Sequence, residues 1–286
     1  MNKKQTYWTI LFFCIIKLCL HLIADFNSGF SNDEFLHIET GNHPALGYME
    51  FPPIIGWLAY IQNSFDSTSV YVYHIFPHIA SLLILIILAL SVAELGGKTK
   101  AVFFALLCML FSPGLEMSQQ LFQPVVFSQL FWVLSFYQLS RWVKTSDQKY
   151  FLYLMLSLAL GFLTKYDIIF FIAGLTSLIF FAKTRSALLT LSNVKYILLL
   201  LLLIAPNIFW QYQHGYPVLH MFSRLYETQL DKLSPIKVVL EIVIALNPFV
   251  FIVVLAGIVA LLGSGAKEVY RPVGLTVILS VFAHLH

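Results

Sequence analysis

Ile75-Phe-Pro-His-Ile-Ala-Ser-Leu-Leu-Ile-Leu-Ile-Ile-Leu-Ala-Leu-Ser-Val-Ala-Glu-Leu95 is apolar almost without a break and carries a single charged residue, next to its end. As a helix, a run of this length covers the ~30 Å hydrocarbon core of a bilayer. Its hydrophobicity does not alternate as a barrel strand's does, and a helix is then the structure that satisfies the backbone polar groups in lipid. The rest of the chain is of the same kind. Of 286 residues 59% are hydrophobic and 11% charged, with a mean hydropathy of +0.82. Those values exclude a single soluble domain. An all-α polytopic membrane protein is the expectation.

Apolar runs on either side of 75–95 set the expected spans. They read as Tyr7 to Ala24, Ala101 to Leu115, Leu121 to Leu139, Tyr150 to Leu163, Ile168 to Ala182, Tyr196 to Trp210, Ile236 to Leu262 and Val273 to the end. About nine transmembrane helices follow from this reading, several shorter than the ~20 residues a crossing needs. With the N-terminus inside, twelve of the 17 basic residues fall on the cytoplasmic side: Lys3, Lys4, Lys98, Lys100, Arg141, Lys144, Lys149, Lys183, Arg185, Lys195, Lys267 and Arg271. The positive-inside bias favours that orientation. Lys165, Arg224, Lys232 and Lys237 then lie outside, and Lys17 lies within the first span.

Acidic residues distribute the other way. Asp25, Asp33, Glu34, Glu39, Glu50, Asp66, Glu116, Asp167, Glu227, Asp231 and Glu241 are expected at or near the outer face, against Glu94, Asp147 and Glu268 inside. The long non-cytoplasmic segments are about 25–74 and about 211–235, so chemistry is expected there, at the cell membrane's outer or periplasmic face.

Several functions are excluded or unsupported. A net charge of +3, explained by the cytoplasmic loops, leaves no nucleic-acid footprint. Cys14, Cys19 and Cys108 all lie in apolar runs, without disulfide or metal spacing. Gly96-Gly-Lys-Thr99 resembles the end of a phosphate loop, but Val92 stands where its first glycine belongs. It reads as a basic turn. The N-terminal run lacks a small-x-small cleavage site and reads as a retained span. The chain reads as one transmembrane domain over residues 1–286, and Val281-Phe-Ala-His-Leu-His286 ends it as the front part of a longer protein would.

The first outer segment contains Ser31-Asn-Asp-Glu-Phe-Leu-His37 and Gly47-Tyr-Met-Glu-Phe-Pro-Pro53, followed by the amphipathic stretch Ile54 to Ile61. An adjacent Asp33 and Glu34 at a membrane surface can supply a general base, because partial desolvation raises a carboxylate's affinity for a proton. By spacing alone, a solvated helix-capping pair is the first reading.

The loop as a whole resembles the GT-C superfamily of membrane glycosyltransferases, of the protein mannosyltransferase and aminoarabinose transferase kind. The similarity continues through Glu94-Leu-Gly-Gly97, Leu130-Phe-Trp132, Gly161-Phe-Leu-Thr-Lys-Tyr166, Pro206-Asn-Ile-Phe-Trp-Gln211 and Gly215-Tyr-Pro217, in the family's order. In this chain Ser128 stands where many relatives carry a second acid, and Phe51 where many carry His or Lys.

What the resemblance implies is sugar transfer from a polyprenyl-phosphate donor to an acceptor hydroxyl of a lipid, glycan or protein, at the outer face. Asp33, with Glu34, would activate or orient the acceptor. Lys165 and Arg224 would meet the phosphate charge, and Tyr48, Tyr166, Asp167, Trp210 and His214 would line the donor or substrate site. Lys165 paired with Asp167, and Trp210 in an interfacial aromatic belt, are the structural alternatives. No resident cofactor is expected. The spacing of His37, His43, His214 and His220 does not demand a metal. A transporter or flippase is the main alternative; it predicts ionisable groups near mid-span, where Lys17 is the one evident charge, and a non-catalytic glycosyltransferase-like fragment is another, left open by Ser128.

Overall fold

A computed structural model of the chain describes residues 3–65, 67–188, 190–228, 234–262 and 268–285. Asp66, Asp231, Lys232 and Lys267 lie outside the described residues. In chain order the helices are α1 (Lys3–Asn27), α2 (Asn32–Glu39), α3 (Ile54–Asn63), α4 (Val70–Glu94), α5 (Thr99–Leu110), α6 (Pro113–Gln120), α7 (Pro124–Thr145) and α8 (Gln148–Phe162). Then come α9 (Ile168–Gly174), α10 (Ala182–Leu188), α11 (Leu191–Gln213), α12 (Pro217–Thr228), α13 (Pro235–Leu246), α14 (Pro248–Leu262) and α15 (Arg271–Leu285). Among the described residues there is no strand. The protein is an all-α membrane protein, as the composition requires.

Among the described residues, three to six of the nine expected spans are helices long and apolar enough to cross a bilayer. α1, α4 and α11 are long and apolar enough to cross a bilayer. Three bent pairs raise the count to at most six if each pair is one span: α5 with α6 (72°), residues 168–180 with α10 (117°), and α13 with α14 (104°). The breaks have local causes. Pro113 and Pro248 begin the second member of their pairs and cannot donate to the preceding turn. Asn247, between α13 and α14, has φ of 73°, which ends a helix. The run 236–262, expected as one span, is therefore two helices.

Two apolar clusters hold the bundle. One joins α1, α3, α4, α5 and α7 around Phe13, Ile55, Leu85, Leu106 and Val126. The other joins α7, α8, α9 and α11 around Leu139, Leu154, Phe171 and Ile204. Because lipid is as apolar as leucine, close packing and satisfied polar groups carry the association rather than release from water. Buried Ser91, Ser140 and Ser157 each donate to the carbonyl four residues back, at 2.8, 2.9 and 2.8 Å. These hydroxyls are thereby satisfied without a partner helix.

Gly96-Gly97 closes α4. Gly96 has φ of +88°, its N–H donates to Ala93 O at 3.0 Å, and Gly97 N–H donates to Val92 O at 2.8 Å. This pair of bonds is the Schellman helix stop, so the phosphate-loop look-alike is a C-cap. Glu94 beside it accepts from Arg141 Nη1 at 2.7 Å and Lys144 Nζ at 2.8 Å, tying α4 to α7.

Candidate functional site

Residues 28–65 carry the short helices α2 and α3, and α2 positions the acid pair. Ser31 N–H donates to Glu34 Oε2 at 2.7 Å, while Glu34 N–H donates to Ser31 O at 3.1 Å. Glu34 is fully buried. Its Oε1 accepts from Phe122 N–H at 2.7 Å and lies 2.7 Å from His74 Nε2. Burial pushes the Glu34 carboxyl up, but the bonds from His74, Ser31 and Phe122 outweigh it and hold the group below the usual carboxylate range. Asp33, one residue earlier and ~100° round the helix, is exposed and makes no salt bridge among the described residues. One acid therefore faces the interior and the other solvent: Glu34 anchors α2 and Asp33 is exposed.

One turn on, His37 is buried and packs edge-on against Phe51, ring centroids 4.8 Å apart. Burial lowers its pKa to about 4, against the opposing pull of Asp33 and Glu34. It is a neutral imidazole at pH 7.

Tyr48 organises the following loop. Its hydroxyl accepts from Ala45 N–H at 3.3 Å and can donate to Thr40 O at 3.2 Å or His43 O at 3.1 Å. Burial raises the phenol's pKa. The ring lies against Gly56, where an added Cβ would overlap the Tyr48 hydroxyl. Trp57 Nε1 donates to Ala45 O at 2.9 Å, and Ile54 N–H donates to Leu163 O at 3.0 Å, docking α3 on the end of α8. Tyr48 thus places its polar end in the loop's own backbone.

The Pro206–Gln211 motif on α11 clamps this loop from the other side. Asn207 Nδ2 donates to Leu46 O at 2.8 Å, and Gln211 Nε2 donates to Tyr48 O at 3.1 Å. Tyr166 OH bridges them, donating to Asn207 Oδ1 at 3.0 Å and accepting from Gln211 Nε2 at 3.1 Å. Gly47 passes over α11 so closely that a Cβ would come within 2.7 Å of the Trp210 ring. Trp210 in turn stacks on His214, centroids 4.0 Å apart.

Next to Tyr166, Lys165 Nζ is 3.5 Å from Asp167 Oδ2, both side chains partly exposed. Ser128 donates to Asp167 Oδ1 at 2.7 Å. The fold thus brings Tyr48, Tyr166 and, through the Gly47 crossing, Trp210 and His214 into one cluster, with Lys165 and Asp167 on its flank. Arg224 is exposed on α12 and makes no ion pair among the described residues.

Sequence reading missed a second set of residues. α1 buries Lys17, His21 and Asp25, and α4 buries His74 and His78. The signal was present as spacing: 17, 21 and 25, and 74 and 78, recur every four residues on one helix face. Lys17 is therefore not the one deep polar group. Glu116, expected near the outer face, meets Lys17 Nζ at 2.7 Å, the lysine fully buried and the glutamate partly so. Asp25 is likewise fully enclosed, accepting from Gln120 at 2.9 Å and lying 2.7 Å from His74 Nδ1.

No curated protein and no solved structure matches this chain. The family described as dolichyl-phosphate-mannose-protein mannosyltransferase matches over residues 50–210, more than half of the sequence. That stretch contains the Tyr48-contacting Gly56, the 161–167 turn and the start of the α11 clamp. The chain belongs to this family, and is a GT-C-type glycosyltransferase.

Proposed function

We propose that this GT-C-type glycosyltransferase takes its sugar from a polyprenyl-phosphate carrier and passes it to an acceptor hydroxyl at the outer face of the membrane. The observation that carries the reading is the contrast between buried Glu34 and exposed Asp33. The buried acid fixes α2, the adjacent acid is left exposed, and the loop that follows is tied through Gln211 to Tyr166 of the Lys165-Tyr166-Asp167 turn. The family's own description, which names a dolichyl-phosphate sugar, supports the donor class.

In this reading the acceptor oxygen attacks the anomeric carbon as Asp33 takes or orients its proton. The bond from that carbon to the phosphate oxygen breaks, and the electron pair leaves with the carrier. Lys165, with Arg224 as a second cation, meets the phosphate charge. The acceptor is a lipid, glycan or protein hydroxyl. The N-terminus is cytoplasmic and the loops near residues 40 and 220 are external, as the lysine and arginine distribution favours.

Transfer of radiolabelled sugar from polyprenyl phosphate into a membrane extract, by the longest natural form of the protein, tests the reaction. Its absence in folded protein overturns the donor assignment. Impermeant labelling of single cysteines tests the sidedness, and reaction at position 145 in intact cells overturns it.

A further inference from the structure

The buried polar stripe between α1 and α4 has a composition that its hydrogen bonds do not use up. Asp25, His74 and His78 are 3%, 0% and 7% exposed, and one ligand atom from each lies within 4.8 Å of the other two. Asp25 Oδ2 and His78 Nε2 are 3.1 Å apart, yet misaligned, so that neither has a hydrogen-bond partner. Both ring nitrogens of buried His21 are also without a hydrogen bond, and its ring centroid lies 5.2 Å from that of His78. Four unsatisfied buried atoms in one place are costly unless something binds them.

We infer that Asp25, His74 and His78 hold a divalent transition-metal ion such as Zn2+, which pins α1 to α4 beneath the first loop. Imidazole with carboxylate is a donor set suited to zinc, iron, nickel or copper rather than to calcium or magnesium. The support around it is of the kind that orients a metal-bound histidine: His74 Nε2 faces Glu34 Oε1 at 2.7 Å, while Nδ1, the nitrogen the ion would take, faces Asp25 Oδ1 at 2.7 Å. Charge also balances. With neutral histidines, Asp25, Glu34 and Glu116 against Lys17 leave an excess of two negative charges in this stripe, which one divalent ion cancels. His21, beside His78, lies outside this three-residue cluster, its Nε2 3.6 Å from Glu116 Oε2. The competing occupant is a proton on His74, shared between Asp25 and Glu34.

The full chain is purified in detergent without added chelator, and its metal content is measured by plasma mass spectrometry. It is then stripped and titrated with Co2+, whose visible d–d bands report coordination by nitrogen and oxygen. The expected result is about one bound ion per chain and a tetrahedral-type Co2+ spectrum. Asp25→Asn and His78→Gln should each weaken Co2+ binding by at least ~10-fold, while exposed His220→Gln leaves it unchanged. Folded wild-type chain that carries no ion and gives no Co2+ spectrum overturns the proposal in favour of the proton. Unaltered binding in both site variants, or loss in His220→Gln, overturns it too. Should either site variant fail to fold, the wild-type content and spectrum still decide. The site does not depend on the glycosyltransferase reading.

Discussion

Ser128 donates its hydroxyl to Asp167 Oδ1 at 2.7 Å, across two segments 39 residues apart. Resemblance to the family leads one to expect an acid at position 128, and the fold supplies a carboxylate beside it from the 163–167 turn. The same carboxylate is 3.5 Å from Lys165, so Asp167 sits between a neutral donor and a cation. A carboxylate is thus present at this point, carried by a different element.

Lys165 and Asp167 can be separated by substitution. If Lys165 meets the carrier phosphate, Lys165→Ala should weaken polyprenyl-phosphate binding about tenfold, whereas Asp167→Asn keeps most of it because Ser128 still holds the amide. Binding to the lipid phosphate in detergent is the measurement. Equal losses from both variants would make the pair a structural one.

Asp33→Asn should lower the transfer rate by roughly 10² to 10⁴ with the fold intact, since an exposed base is replaced by a neutral isostere. Glu34→Gln behaves differently. It removes a buried charge that faces His74 and accepts two backbone N–H groups, and should cost about 3 kcal/mol of stability. Thermal unfolding measured beside activity distinguishes them, and a wild-type rate in Asp33→Asn returns this acid to a capping role.

Gly56→Ala should loosen the first loop, because its Cβ overlaps the Tyr48 hydroxyl against which three backbone groups are arranged. Overpacking of this kind costs about 1–3 kcal/mol. Faster hydrogen exchange across residues 40–53 is the expected readout. Tyr48→Phe, which keeps the ring, should have a smaller effect, about 1 kcal/mol.

Acid should destabilise the loop through His37. Its pKa is about 4 in the folded protein, pushed down by burial, against ~6.5 in an unfolded chain. The unfolded state therefore binds more protons between those values, so stability is full above pH ~6.5 and is lost as pH falls towards 4. The shift corresponds to about 3 kcal/mol at most. Limited proteolysis of residues 28–69 between pH 7 and 4 should show the loss, and His37→Gln should flatten that part of the profile. An unchanged profile in His37→Gln would assign the acid sensitivity to Glu34, whose lowered pKa acts in the same direction.

How much of this was legible beforehand follows from the range of the interactions. The apolar run at 75–95 determined a membrane helix without reference to any other segment, since spanning length and hydropathy are local quantities. The order of the six short motifs pointed to the family, and Gly96-Gly97, read as a turn, is the C-cap of α4. Glu34 and Asp33, by contrast, were indistinguishable in sequence. Only the approach of Phe122 and His74, 88 and 40 residues away, turned one inward and left the other exposed. Asn207 and Gln211 could be quoted as a motif, but their task of holding Leu46 and Tyr48 exists only once α11 lies against the first loop. Hydropathy also adds apolar residues along a run, and does not register that Pro113, Pro248 and Asn247 redirect the axis within runs read as single spans. Sequence thus determined the solvent and the helices; tertiary packing decided which polar groups face one another, because hydrogen bonds between distant segments leave no periodicity in either segment alone.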